Sequence, residues 1–266
     1  MNSVFRLTGA ALAITLLGTI KVAADELVVG ANIGNVPWEF QEASGEFVGF
    51  ELDLVREVGK RLGRPVEVVN IPFNGLFSAV QSGRIDIALS SITITEKRLG
   101  SVSFTQPYYD SAQSLTVSAR SAIHGLDQMR GKIVGVDTGS TGDMWTTANA
   151  ERYGFGDIRR YEGLAPAMLD LQSGRIDGYI SDIPSLEYFI KDKSWFRVVE
   201  RIETGERYSM MFARNSTLAG EVDGSISELK REGFIAALHE RWFGTAAAET
   251  SSTVAILPPP GRAEDD

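Results

Sequence analysis

The run Ser90-Ser91-Ile92-Thr93-Ile94-Thr95-Glu96-Lys97-Arg98 sets four hydroxyls and a guanidinium within nine residues. Thr95 has the chemistry of an N-cap, which puts Arg98 in the first turn of a short helix, where a cation opposes the helix dipole. An arginine beside free hydroxyls and backbone N–H groups is a ready fork for a carboxylate. A surface helix start, with Glu96 offsetting the basic charges, accounts for the same residues equally well. A second candidate is the loop Asp137-Thr138-Gly139-Ser140-Thr141-Gly142-Asp143, which joins a predicted strand to a predicted helix and so offers N–H groups to an anion. It has neither the lysine of a P-loop nor the glycine spacing of a dinucleotide site, and a tight turn with Ser or Thr caps is the simpler reading. Asp182 is a third candidate, either a carboxylate at the open end of a strand or the cap of a helix over 183–190.

Other chemistries find no residues to carry them. Gly139-Ser140-Thr141-Gly142 is not a nucleophile elbow, and glycosidase chemistry would need a carboxylate pair that the sequence does not place. There is no cysteine, which excludes disulfides, thiolate zinc sites, cysteine nucleophiles and a lipid-modified cysteine. The two histidines, His124 and His239, read as surface residues and make an imidazole metal site improbable. No catalytic residue, metal or cofactor is therefore expected. Lys and Arg number 26 against 35 Asp and Glu, a formal charge of −9, which argues against nucleic acid as a partner.

An internal echo positions the candidates. Gln-Ser-Gly-Arg-Ile-Asp occurs at Gln81–Asp86 and again at Gln172–Asp177, 91 residues apart. Each copy follows a short helical pattern, and each is followed by an apolar strand. Counted from the two glycines, Ser90-Ser91 correspond to Ser181-Asp182, so polar residues emerge at the C-terminal ends of equivalent strands, the edge where open α/β sheets bind ligands. Around these units the sequence predicts strands over 27–30, 66–70, 114–117, 133–136, 158–161 and 208–213. Helices are predicted over 51–62, 144–153, 218–231 and 234–243, with a helical turn at 126–129. Alternating β and α elements imply two α/β lobes, and the last helices, returning to the first lobe, imply two crossovers and a hinge. Trp38, Phe40 and Phe73 follow strands, where such rings are more often core than ligand platform. Tyr108 and Tyr109 read as packing before the crossover.

The ends are different. Arg6, the uncharged run from Leu7 to Ile20 and the small residues Val22-Ala23-Ala24 read as a cleavable secretory signal over 1–24. The 14 uncharged residues fall short of the ~20 needed to span a bilayer. From Thr245 the chain is small, proline-containing and acidic at its end, which reads as a disordered tail over 245–266.

Several motifs together resemble those of the bacterial extracellular solute-binding proteins of polar amino-acid uptake. They are Val48-Gly49-Phe50-Glu51-Leu52-Asp53-Leu54, Ser91 through Arg98, Phe104-Thr105-Gln106-Pro107-Tyr108-Tyr109 and Trp242-Phe243-Gly244. The run Leu186 through Lys191 is most similar to glutamine-binding members. The resemblance implies the type II periplasmic binding protein fold, two α/β lobes joined by two hinge strands. Lobe 1 would take 25–110 and a return segment 207–244, and lobe 2 would take 111–206. It implies a periplasmic monomer without a lipid anchor that closes over one polar amino acid, glutamine first, and delivers it to a membrane ABC permease complex. By the same resemblance Arg98 holds the ligand α-carboxylate with Thr93 and the backbone of Thr141. Asp182 holds the α-ammonium with the Ser91 carbonyl and the Thr93 hydroxyl, and Phe73 packs on the side chain. Asn32 and Asn35 stand where relatives often carry an aspartate and an aromatic ring, and Asp137 stands where glutamine binders carry a lysine. An amide at 32 weakens the case for a basic ligand, whereas Asp137 disfavours glutamate. The alternative function on this fold is a cyclohexadienyl or arogenate dehydratase, which would need a carboxylic acid of raised pKa in the cleft.

Overall fold

The computed structural model describes residues 25–261; the predicted signal over 1–24 and residues 262–266 lie outside the described residues. In chain order the elements are β1 (Leu27–Ala31), β2 (Phe40–Gln41), β3 (Phe47–Val48), α1 (Phe50–Arg61), β4 (Val66–Asn70), α2 (Phe73–Gln81), β5 (Ile87–Leu89), α3 (Glu96–Leu99), β6 (Val102–Phe104) and β7 (Tyr109–Ser118). There follow β8 (Ile133–Asp137), α4 (Thr141–Ala148), α5 (Ala150–Tyr153), β9 (Asp157–Tyr161), α6 (Leu164–Gln172), β10 (Gly178–Asp182), α7 (Ile183–Ile190), β11 (Phe196–Tyr208), β12 (Met211–Ala213), α8 (Thr217–Arg231) and α9 (Phe234–Phe243). One five-stranded sheet has the order β4-β1-β5-β12-β6 and the other β11-β7-β10-β8-β9. In each, three parallel strands are extended on one side by two more, each paired antiparallel to its neighbour.

The repeated hexapeptide has a physical reason in both sheets. Its glycine takes the left-handed conformation that ends a helix, Gly83 at φ 73° after α2 and Gly174 at φ 72° after α6. Its isoleucine, Ile85 or Ile176, enters the core at 2% exposure. Its aspartate bonds the start of the parallel strand that neighbours the next one, β1 or β8: Asp86 Oδ2 accepts from Val28 N, and Asp177 Oδ2 accepts from Ile133 N, each at 2.8 Å. The unit therefore ends a helix, turns the chain and fixes where the next strand docks.

Two segments cross between the sheets. β7 leaves the first lobe at Tyr109, and β11 returns beside it in antiparallel register from Phe196↔Ser118 to Tyr208↔Tyr109. The strand β11 is longer than anything the sequence predicts there, because its charged residues hide the period-2 pattern. The strand expected over 208–213 divides instead, Tyr208 closing β11 and Met211 opening β12. The helix expected over 144–153 begins at Thr141 and breaks at Asn149, whose side chain donates to the Trp145 carbonyl. Trp38 joins the core at the crossover, its ring edge-on to Phe50, Tyr109 and Tyr208 at 4.7–5.5 Å. Phe40 packs edge-on to Trp242.

Residues 245–261 correct the expectation of a disordered tail. Ser252 and Thr253 are 2% exposed, the backbone N–H and hydroxyl of Ser252 both donate to Asp110, and Thr253 Oγ1 donates to the Tyr108 carbonyl. Leu257 N donates to Gln106 Oε1, and the buried Lys230 ammonium donates to the carbonyls of Ala255 and Pro107 and to Gln106 Oε1. Small polar residues and prolines suit an extended strap held by polar partners on another segment as well as they suit a free chain, and composition does not separate the two. Truncation after Gly244 removes an acceptor from a buried ammonium and both donors from Asp110. It is expected to lower stability by roughly 2–4 kcal/mol, read as a fall in melting temperature. An unchanged melt would mean that the strap carries no stability.

Candidate functional site

Between the lobes lies a cavity of about 140 Å³, sized for a small molecule rather than a peptide. All eight residues singled out in the sequence, Asn32, Asn35, Phe73, Ser91, Thr93, Arg98, Thr141 and Asp182, line it. The first six come from the strand ends and helix starts of lobe 1, the last two from those of lobe 2. The repeat-related positions even touch: Ser91 Oγ donates to Asp182 Oδ2 at 3.3 Å.

Thr95 caps α3 by accepting from Arg98 N at 3.2 Å, as its chemistry predicts. Arg98 is nonetheless 6% exposed, which removes the reading of a surface helix start. Its Nη1 donates to the Thr93 carbonyl at 2.7 Å, and its Nη2 reaches the Gly139 carbonyl of lobe 2 at 3.4 Å. The guanidinium lies 5.6 Å from the Phe73 ring centre and 5.1 Å from that of Phe77. Burial pulls its pKa down to about 10, against the opposing pull of Glu206 and Asp182, so it stays charged at neutral pH.

Asp182 occupies the N-cap position of α7 but makes no side-chain cap hydrogen bond, so the cap reading fails here. Its Oδ1 accepts from Gln113 Nε2 at 2.5 Å instead. The same amide nitrogen lies 2.9 Å from Glu206 Oε1, and Thr93 Oγ1 donates to Glu206 Oε2 at 3.0 Å. Two carboxylates thus lean on one amide, and burial, with Glu206 adding to it, pushes the Asp182 carboxyl well above the usual carboxylate range. A cation placed there relieves both. Because the Thr93 proton is directed to Glu206, what Thr93 has left for a ligand is acceptor capacity.

The loop after β8 is a weaker anion nest than its composition suggests. Protein acceptors take the N–H groups of Thr138, Gly139, Ser140 and Asp143, which leaves the first turn of α4 at Thr141. Asp137 and Glu162 also belong to the cavity wall, as does Asn32. The Asp137 Oδ1 atom has no hydrogen-bond partner, and burial pushes its carboxyl up to about 6. Asn35 is tied up: its Nδ2 donates to Glu39 and Ser91, and its Oδ1 accepts from Ser185 of lobe 2, whose Oγ also accepts from Trp38 Nε1 at 2.8 Å. It belongs to a link between the lobes as much as to the wall.

Gln113 and Glu206, on the two crossing strands, were not singled out by sequence. Glu206 sits among Glu203, Arg201 and Arg207 and reads as surface. A usable signal is Gly205, at φ 63° within a register shift of β11, because such a bulge re-aims the next side chain.

The family model of the bacterial extracellular solute-binding proteins, family 3, matches residues 27–245. The L-cystine-binding protein TcyJ of Escherichia coli K12 is 29% identical over 227 residues, 82% of each chain. Among solved structures, an ancestral arginine-binding protein bound to arginine superposes with TM-score 0.79 at 30% identity, covering 84% of this chain and 100% of that one. An ancestral arginine-binding protein bound to glutamine gives TM-score 0.77 at 30% identity, covering 83% and 98%. These neighbours have the type II periplasmic binding protein fold, as the sequence resemblance implied.

Proposed function

We propose, because the chain belongs to the bacterial extracellular solute-binding proteins of family 3, that it captures one polar amino acid between its lobes and hands it to an ATP-driven membrane permease. One observation carries the reading: Arg98 of lobe 1 and Asp182 of lobe 2 face the same small cavity. A zwitterion needs one fixed cation and one fixed anion a few ångströms apart, and with the two on different lobes the site is complete only when the lobes are closed. In this reading Arg98, with the first turn of α4 at Thr141, takes the α-carboxylate. Asp182, Ser91 and Thr93 take the α-ammonium, and Phe73 covers the side chain.

The acidic part of the cavity wall supports a side chain ending in hydrogen-bond donors. Asp137 and Glu162 are acceptors there, and Arg98 is the only basic residue lining the cavity among the described residues. The glutamine suggested by sequence meets this wall with its amide N–H groups. A basic side chain meets it and also offsets the two carboxylates, and glutamate is opposed by both. The expected order is therefore arginine or lysine, then glutamine, with glutamate last. Asp137 adds a sign: with its carboxyl at about 6 in the empty site, a cationic ligand lowers that pKa, so the contribution of Asp137 to arginine affinity falls as pH drops below about 6.

The test is a thermal-shift and calorimetric screen of the twenty amino acids and cystine at pH 7.5 and pH 5, since a ligand at 100 times its Kd stabilises by about 2.7 kcal/mol. Basic amino acids and glutamine are expected to raise the melting temperature. No shift with any amino acid, or turnover of prephenate or arogenate, would overturn the receptor reading. The raised Asp182 and Asp137 carboxyls are the features that favour such an enzyme, and an ammonium bound beside Asp182 would lower that carboxyl again.

A further inference from the structure

A second carboxyl pair lies beneath the cavity floor, and it is not needed for the charges described above. Glu39 and Glu51 are both fully buried. Ser90 Oγ and Asn35 Nδ2 donate to Glu39 Oε1, while Tyr108 Oη donates to Glu51 Oε1 at 2.5 Å. The backbone N–H of Ser91 donates to both Glu51 oxygens, 3.0 Å from each. Glu39 Oε2 has no other donor and faces Glu51, a contact that becomes a hydrogen bond when the two carboxyls share one proton. Burial raises both carboxyls, in keeping with one proton between them. The acidic groups that face the pair are Tyr108 and, across Ser91, Asp182. Among the described residues no basic group acts on either carboxyl.

The residue held by this pair is unusual. Ser91 has φ 44°, a left-handed conformation that costs a non-glycine residue roughly 1–2 kcal/mol. In that conformation its hydroxyl sits between Asn35 Nδ2 at 3.1 Å and Asp182 Oδ2 at 3.3 Å. Relaxed to extended backbone, the same side chain would leave the site.

We infer that Glu51 is a positioning residue for ligand capture, which holds Ser91 in its left-handed conformation by accepting the Ser91 N–H on both carboxylate oxygens. This rests on the receptor reading above. Glu51 touches no ligand and acts through the backbone of Ser91.

A double-mutant cycle on affinity tests it, with L-arginine and L-glutamine as probes and a melting curve as control for the fold. Glu51→Gln turns one acceptor oxygen into a donor and is expected to weaken binding about 10-fold. Ser91→Gly loses the hydroxyl and is expected to cost only a few-fold. In the Ser91→Gly background, Glu51→Gln is expected to cost less than about threefold, because glycine adopts the left-handed conformation unaided. Multiplicative losses, or unchanged affinity in Glu51→Gln, would overturn the inference. Amide exchange in the wild-type protein gives a second reading without ligand or variant. A slowly exchanging Ser91 N–H is expected, and rapid exchange overturns the inference even where Glu51→Gln does not fold. Failure of the wild type to bind either probe would count against the receptor reading, and the exchange rate would still decide the Glu51–Ser91 contact.

Discussion

Arg98→Ala is expected to weaken amino-acid binding by about 100-fold or more, because a bidentate carboxylate contact is two charge-assisted hydrogen bonds of about 1.5–3 kcal/mol each. The side chain is already fixed within lobe 1 before a ligand arrives, by the Thr93 carbonyl and the rings of Phe73 and Phe77. Little conformational entropy is then lost on binding, and most of the interaction appears as affinity. Among the described residues no second basic side chain lines the cavity to take over. The empty variant is expected to stay folded, since the raised Asp182 carboxyl, left without its cation, can take up a proton. Arg98→Lys separates charge from shape: it keeps the cation but loses the planar fork, and should bind about 10-fold or more below wild type. Calorimetry on the three proteins decides the matter. Wild-type affinity in Arg98→Ala would remove the carboxylate assignment and leave the guanidinium as a tie between the lobes.

What the sequence could show of this site follows from where each residue's partners lie. Arg98, Thr93 and Ser91 fall on one short run, so their chemistry is local and readable, and the repeat carries Asp182 to the matching place in the other lobe. Asp86 and Asp177 are legible in the same way, because the hexapeptide repeats the whole local environment that each needs. Gln113 and Glu206 are different. Each has meaning only through a partner about 70 or more residues away, and neither belongs to a motif. Glu39 and Glu51 lie within recognisable segments, yet two glutamates twelve apart do not announce a contact beneath a third segment. The strap over 245–261 was hidden for a related reason: its order comes from Asp110, Tyr108, Gln106 and Lys230, and its own residues carry no periodic apolar face.

The fold was more legible than the site because its signals are periodic. The strands β1, β4, β8 and β9 and the helices α1, α8 and α9 come within a residue or two of the positions that apolar spacing predicts. The crossing strand β11 escaped because Arg197, Glu200, Arg201, Glu203, Glu206 and Arg207 break the alternation. A strand with one face toward solvent and a bulge near its end has no strict period to detect.

Asp182→Asn separates two roles for one residue with a nearly isosteric change. Asn caps a helix about as well as Asp, so a cap role predicts unchanged binding and an unchanged melt. The geometry makes a different forecast, since the side chain caps nothing and instead faces Ser91, Gln113 and, beyond it, Glu206. Neutralising it removes a charge-assisted bond of about 1.5–3 kcal/mol to the α-ammonium, which weakens binding roughly 10- to 100-fold. The empty protein should melt no lower, and slightly higher is expected, because a carboxylate crowded by Glu206 becomes a neutral amide. The pH dependence supplies a second, independent sign. In the empty site the Asp182 carboxyl lies well above the usual range, and a bound ammonium lowers it. Below the raised value the wild type must release a proton to bind, so its affinity falls as pH falls through that value and is flat above it. The variant has no such proton, and its residual affinity should lose this part of the slope. Titrations of both proteins with arginine and glutamine across pH 4–8 therefore read charge and geometry separately. A variant that binds like wild type at every pH would take Asp182 out of the site, and with it the idea that the two repeated strand ends meet around a zwitterion.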